Sequence, residues 1–170
     1  DYLERFILNP MSKHDAHLAL VAKLREQGRQ IERLTRGLDN EQLSERTVPE
    51  KWSLKELVCH LWRCQRLFDD RIQAMLTRDN PVCIPYSPDG DPDFEKLVAH
   101  PATETREAFL ADRTEFADRL ETLEPAAWHR PGQHPEYERY DVHFQVEYMQ
   151  HHEAHHLYQL FVRRAPLGKL

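Results

Sequence analysis

The sequence predicts an all-α protein that folds as a four-helix bundle. Four long segments repeat apolar residues at three- and four-residue steps, which is the spacing of one face of an α-helix. No segment alternates apolar and polar residues as a half-buried β-strand does. Four amphipathic helices in 170 residues can bury one shared apolar core, so we expect a single domain over residues 1–170.

The first two helices are expected over residues 12–38 and 53–78. Ser53 and Glu56 stand at the spacing of a capping box, in which the serine accepts from the third amide of the helix and the glutamate reaches back. This is the clearest helix start in the sequence. The intervening residues 39–52 include a proline and are expected to form a loop.

The other two helices are expected over residues 103–123 and 141–164, with a short helical piece from Asp93 to Ala99. The connection that follows the second helix is long for two neighbours that run antiparallel. A crossover of that length lets the second and third helices run parallel. The connection at residues 124–140 is expected to be irregular, and residues 165–170 are expected to be loose.

Composition narrows the classes of function. The net charge of -6 argues against broad binding to nucleic acids, and no apolar run is long enough to cross a membrane. Residues 1–10 lack the pattern of a signal peptide, and three cysteines, an odd count, argue against a disulfide framework. The glycine-rich phosphate-binding motifs are absent. We therefore expect a cytoplasmic protein that acts on a small molecule.

The chain has 11 histidines, and four of them lie in the run HHEAHH at residues 151–156. Residues four apart share one helical face, so His151 can pair with His155, and His152 with His156. Only the second pair lies at the edge of the apolar stripe of its helix. Because metal sites in bundles use inward-facing side chains, His152 and His156 are the better candidate ligands.

His60, on the second helix, flanks the apolar stripe at a matching level. Antiparallel packing would bring it to His152 and His156. Three neutral imidazoles with an open position are typical of a catalytic rather than a structural metal site. Water or a thiolate would fill the open position.

Other interpretations of these residues stay open. The run His152–His156 contains HExxH, so Glu153 is a candidate base for a metal-dependent hydrolase. Cys64 is a candidate fourth ligand or reactive thiol, although its helical phase favours plain burial. Gln159 is a candidate to hydrogen-bond a ligand or to line the site. The histidines could also be a solvated face of a non-catalytic bundle.

Two short motifs resemble the DinB/YfiT-like family. Trp52, Ser53, Glu56 and His60 reproduce its W-S-x-x-E-x-x-x-H pattern, and residues 152–159 reproduce its H-x-x-H-H-x-x-Q helix. The order and spacing of the predicted helices match across nearly the whole chain. Leu157 and Tyr158 depart from the small residues that many members carry before the glutamine, a change that affects packing near the site rather than ligation.

The resemblance implies a divalent metal, typically zinc or nickel, bound by His60, His152 and His156. It also implies an up-down-down-up bundle that is often a homodimer. Characterised relatives include S-transferases that use low-molecular-weight thiols, so thiol-dependent transfer to a small electrophile is the leading hypothesis. A hydrolase that uses metal-bound water and a non-catalytic dimeric bundle are the alternatives.

Overall fold

The computed structural model describes residues 12–168, and within this range the regular structure is helical, without a β-strand. The expectation about a signal peptide concerns residues 1–10, which lie outside the described residues. The six α-helices are α1 (Lys13–Thr35), α2 (Asn40–Ser44), α3 (Leu54–Thr77), α4 (Pro92–Ala99), α5 (Ala102–Glu121) and α6 (Val142–Arg164). Two short 3-10 helices cover Pro125–His129 and Ala165–Leu167.

The four long helices α1, α3, α5 and α6 form the bundle with up-down-down-up topology, which confirms the prediction. Both α1 and α3 pack against α5 and α6, so α1 and α3 occupy diagonal corners. Two contacts at each interface between helices show whether the two helices run parallel or antiparallel. Parallel neighbours are α1 with α6 (His17–His143, Gln27–Gln150) and α3 with α5 (Trp62–Asp112, Asp69–Arg119). Antiparallel neighbours are α1 with α5 (Leu24–Arg113, Thr35–Arg106) and α3 with α6 (Trp52–Arg163, Arg71–Gln145).

The predicted capping box at the start of α3 is present, with the Ser53 hydroxyl accepting from the Glu56 amide and the Glu56 carboxylate accepting from the Ser53 amide. A second capping box was missed. Asp39 and Gln42 cap α2 in the same reciprocal way, so the segment predicted to be a loop contains a helical turn.

The ends of the chain also differ from the prediction. Helix α1 ends at Thr35 rather than residue 38, because Gly37 adopts a positive φ of 74° that a helix does not allow. The tail was expected to be loose, but residues 165–167 form a 3-10 helix, and Arg164 Nη1 donates to the carbonyl of Gly168 at 3.0 Å. Residues 169–170 lie outside the described range.

The two long connections bind each other at one end of the bundle. The amide of Cys83 donates to the carbonyl of Gln133 at 2.7 Å, and the amide of Gln133 donates to the carbonyl of Pro81 at 2.8 Å. Gly132 lies so close to Met75 that an added Cβ would stand 2.9 Å from its sulfur. These contacts fix two proline-rich segments as a wall beside α3 and α6.

Buried apolar residues form two clusters along the bundle. One surrounds Phe116 and Trp128, and the other surrounds Phe109 and Leu160. Among the described helices, none combines the length and hydropathy needed to cross a membrane.

Candidate metal centre

His60 lies two turns into α3, and its position follows from the capped start of that helix. Its side chain is buried, with 5% of its surface exposed. The ring of Trp52 lies 5.0 Å from the His60 ring, and Phe94 of α4 packs against both. Trp52 thus shields the imidazole from solvent. Trp52 therefore covers a candidate ligand.

Helix α6 supplies the other two candidate ligands. His156 is buried and His152 is half-buried, whereas His151 and His155 are exposed, as the helical phase predicts. The Nε2 atom of His152 lies 3.3 Å from Nε2 of His60 and 3.2 Å from Nε2 of His156. The structure therefore brings the three predicted histidines together, across 92 residues of sequence between His60 and His152.

These separations suit a divalent ion. With Zn–N bonds of about 2.0–2.1 Å and tetrahedral angles, two ligand nitrogens stand about 3.3 Å apart. The distances from Nε2 of His152 to Nε2 of His60 and to Nε2 of His156 are both close to that value. His152 can therefore share a divalent ion with either of these neighbours.

Burial keeps the three imidazoles neutral. It lowers the pKa of His60 to about 3 and that of His152 to about 4, with smaller contributions from the neighbouring histidines. Burial also lowers the pKa of His156, although its hydrogen bond to Gln159 acts in the opposite direction. A neutral imidazole offers the lone pair that a metal needs, whereas imidazolium does not.

Gln159 orients one of the candidate ligands. Its Oε1 lies 2.8 Å from Nδ1 of His156, and its Nε2 lies 3.1 Å from Nε2 of His155. With the amide in this orientation, His156 donates through Nδ1 and keeps the lone pair on Nε2. A second partner that fixes the tautomer is a regular feature of histidine ligands. Gln159 therefore orients a candidate ligand, which is one of the roles that the sequence leaves open for it.

Cys64 also belongs to this cluster. Its sulfur lies 3.6 Å from Nε2 of His60, and His60, Cys64 and His152 offer ligand atoms within 4.8 Å of one another. Helical phase predicted plain burial for Cys64, and the side chain is indeed buried, but it is buried against the candidate site. Burial raises the pKa of its thiol to about 12.

Glu153 does not face the candidate site. Its carboxylate binds Arg113 of α5 through both oxygens, one of them at 2.8 Å from Nη1, and the side chains are 2% and 3% exposed. A carboxylate engaged in a buried ion pair is not available as a base for water. The HExxH interpretation is therefore unsupported by the geometry, and Glu153 stabilises the bundle instead.

A cavity of about 190 Å³ opens beside the histidines. His60, Cys64 and His152 form one part of its lining, and the rest comes from α3, α6 and the two long connections. Tyr86 and Tyr137 belong to those connections, so the proline-rich segments form part of the cavity wall. A larger and more open cleft of about 520 Å³, near Trp62 and His100, is lined by other residues.

Sequence reasoning missed the cavity residues outside the histidine motifs. Arg71, Tyr137 and Tyr148 line the cavity but belong to no motif. The one available signal was the helical step, because Arg71 follows His60 and Cys64 on the same side of α3. Tyr137 gave no signal, since an irregular segment does not disclose where its side chains point.

Comparison with known proteins places the chain in a family. The family model of the DinB superfamily matches residues 23–160, and the chain belongs to that superfamily. Among solved structures, YfiT from Bacillus subtilis is similar, with a TM-score of 0.74 and 16% sequence identity. The similarity covers 89% of this chain and 87% of YfiT, which is described as a probable metal-dependent hydrolase with an unusual four-helix bundle topology. No curated protein matches the chain.

Proposed function

We propose that the protein is a metal-dependent enzyme that binds one divalent ion, zinc or nickel, through His60, His152 and His156. The observation that carries this proposal is the position of Nε2 of His152, which lies 3.3 Å from Nε2 of His60 and 3.2 Å from Nε2 of His156, beside a cavity that His60 and His152 line. A divalent ion at such a position acts as a Lewis acid and lowers the pKa of a water or thiol. The cavity would hold a small-molecule substrate.

The protein's own residues would support this chemistry by excluding water and by orienting a metal ligand. Trp52 and Phe94 close one side of His60 to water, and Gln159 holds the ring of His156. The cavity meets the cluster at His60, Cys64 and His152, so a substrate would approach from the side of the long connections.

We infer that the reaction is the transfer of a low-molecular-weight thiol to a small electrophile. This inference rests on the resemblance to thiol-dependent members of the superfamily. It also rests on the engagement of Glu153 by Arg113, which leaves the glutamate that follows His152 in the sequence unable to activate a water. The homodimer and the cytoplasmic location remain predictions.

Hydrolysis is the second candidate. YfiT, which shares the fold, is described as a probable metal-dependent hydrolase. Glu136 lines the cavity and is exposed, so it is the carboxylate that a hydrolytic mechanism would have to use.

One experiment separates these candidates. Zinc- and nickel-loaded proteins are assayed with chlorodinitrobenzene and glutathione or cysteine, and with nitrophenyl acetate without a thiol. Thiol-dependent turnover that is lost in His60→Ala and kept in His151→Ala supports transfer. Thiol-independent ester cleavage with the same dependence on His60 supports hydrolysis. Metal binding without either activity would contradict both reaction assignments, and failure to bind a metal would contradict the metal site itself.

A further inference from the structure

The cavity beside the histidines extends along one side of α3. His60, Cys64, Phe68 and Arg71 follow one another at steps of four, four and three residues and all line it. His60 and Arg71 are 11 positions apart, or about 16 Å along the helix axis. Helical side chains lean towards the N-terminus of their helix, so the guanidinium of Arg71 reaches back towards the histidines. Arg71 therefore lines the same cavity as His60 and His152, and Phe68 contacts both its guanidinium and the ring of His152.

The charge of Arg71 lacks a counterion in the described part of the chain. Within residues 12–168, no carboxylate oxygen lies within 4.0 Å of its guanidinium, although Arg63 has Asp91 and Arg113 has Glu153. Its contacts are with neutral acceptors, the carbonyl of Ile84 and Oε1 of Gln145. A half-buried arginine held only by neutral groups keeps donors and charge for an anion.

Two of the groups that hold Arg71 are buried, Gln145 and Phe68. Gln145 is 0% exposed, and its Oε1 accepts from Arg71 at 3.4 Å and from the hydroxyl of Tyr140. The guanidinium also lies over the ring of Phe68, 5.6 Å from its centroid. Arg71 is therefore held at the cavity wall rather than extended into solvent.

The space between Arg71 and the histidines is aromatic. Phe68 and Tyr148 meet edge to face at 5.8 Å, and the ring of Tyr137 lies 5.9 Å from that of Tyr148. Flat apolar surfaces of this kind suit an aromatic or unsaturated group. Glu136 is the carboxylate in the lining, and it is exposed, whereas Arg71 is half-buried. Water and salt therefore screen the charge of Glu136 more strongly than that of Arg71.

We propose that the cavity selects small carboxylate-bearing molecules with an aromatic or unsaturated body, the carboxylate bound by Arg71 and the body packed against Phe68, Tyr137 and Tyr148. If the bound molecule is the substrate, the proposal rests on the proposed function, because the body of the ligand would then lie beside the metal. Binding of such a molecule, without reaction, depends on Arg71 and the aromatic rings alone.

The test measures benzoate binding by calorimetry in metal-free and zinc-loaded protein, with benzamide as the uncharged analogue. The metal-free protein is expected to bind benzoate at least about tenfold more tightly than benzamide, as a charge-assisted pair requires. Arg71→Gln should weaken benzoate binding by at least about tenfold and leave benzamide binding unchanged. Arg71→Lys should retain part of the preference, because it keeps the charge and loses the bidentate geometry.

Arg66→Gln is the matched control, since Arg66 is exposed on the same helix and stacks on Trp62 outside this cavity. It should bind benzoate as the wild type does, and circular dichroism checks that each variant is folded. Equal binding of benzoate and benzamide, no saturable benzoate binding to the metal-free protein, or an equal effect of both glutamine variants would overturn the proposal. Benzoate binding that needs zinc and survives Arg71→Gln would place the carboxylate on the metal, which overturns this proposal and leaves the metal site intact. Arg71-dependent benzoate binding by a protein that takes up no zinc would support this proposal and contradict the metal site.

Discussion

Replacing Glu153 by glutamine is expected to destabilise the protein strongly, because it leaves Arg113 charged and buried without a counterion. Arg113 is 3% exposed and donates to Glu153, to Gln65 Oε1 at 2.5 Å and to the carbonyl of Leu24 at 3.1 Å. Removing one partner of a buried ion pair costs about 3–5 kcal/mol. That loss is a large part of the 5–15 kcal/mol by which a typical domain is stable.

Urea denaturation followed by circular dichroism measures this change. The double variant Arg113→Met with Glu153→Met is the control, because removing both charges together avoids the unpaired guanidinium. It should recover much of the lost free energy of unfolding. If Glu153 were instead a catalytic base, Glu153→Gln would lose activity and keep the stability of the wild type, within about 0.5 kcal/mol. That result would refute the structural role assigned to this ion pair.

Three further predictions concern Cys64 and Gln159, beside the candidate metal site, and His17 of α1. Cys64→Ser is expected to keep one ion per chain, because the proposed ligands are His60, His152 and His156, and the spectrum of the cobalt-loaded protein checks this. Gln159→Leu should weaken metal binding by about 10–100-fold, measured by competition with a chelator, because Gln159 orients His156. His17→Phe should make the free energy of unfolding fall less steeply as the pH is lowered. Burial, with help from nearby histidines, lowers the pKa of His17 from 6.5 to about 4. The unfolded chain therefore takes up a proton first, and stability falls from pH 6.5 to 4 by up to about 1.4 kcal/mol per pH unit.

Each of these predictions has a control or a contrary result. A sulfur-to-cobalt charge-transfer band that Cys64→Ser abolishes would make Cys64 a ligand. Gln73→Leu, at an exposed position of α3, should leave metal affinity unchanged, and an equal effect of both leucine variants would contradict the role of Gln159. His100→Gln, at an exposed position, should keep the acid sensitivity that His17→Phe reduces. The same slope in wild type and His17→Phe would refute the assignment.

Local signals in the sequence predicted much of the fold. The capping box at Ser53 and Glu56 fixed the start of α3, and helical phase separated buried His156 from exposed His151 and His155. Helix α2 was missed, although Asp39 and Gln42 form the same kind of capping box. In this box the third helical residue is glutamine instead of glutamate. Both successes and this failure concern interactions within four residues, which a sequence displays directly.

The surroundings of the site could not be predicted, because they depend on contacts between distant segments. Glu153 pairs with Arg113, 40 residues away in sequence, and no periodic pattern links the two. The pairing of residues 81–83 with Gln133 likewise joins two irregular connections. The cavity exists only because those connections pack against α3 and α6, so its lining followed from tertiary structure alone.

The metal site itself is tested most directly by metal analysis. Untagged protein, purified without a metal column and then incubated with zinc or nickel, is measured by plasma mass spectrometry. One ion per chain is expected in the wild type and in His151→Ala, and its loss is expected in His60→Ala, His152→Ala and His156→Ala. A wild type without stoichiometric metal would contradict the site, and an ion lost from His155→Ala but kept by His156→Ala would contradict the assignment of its ligands.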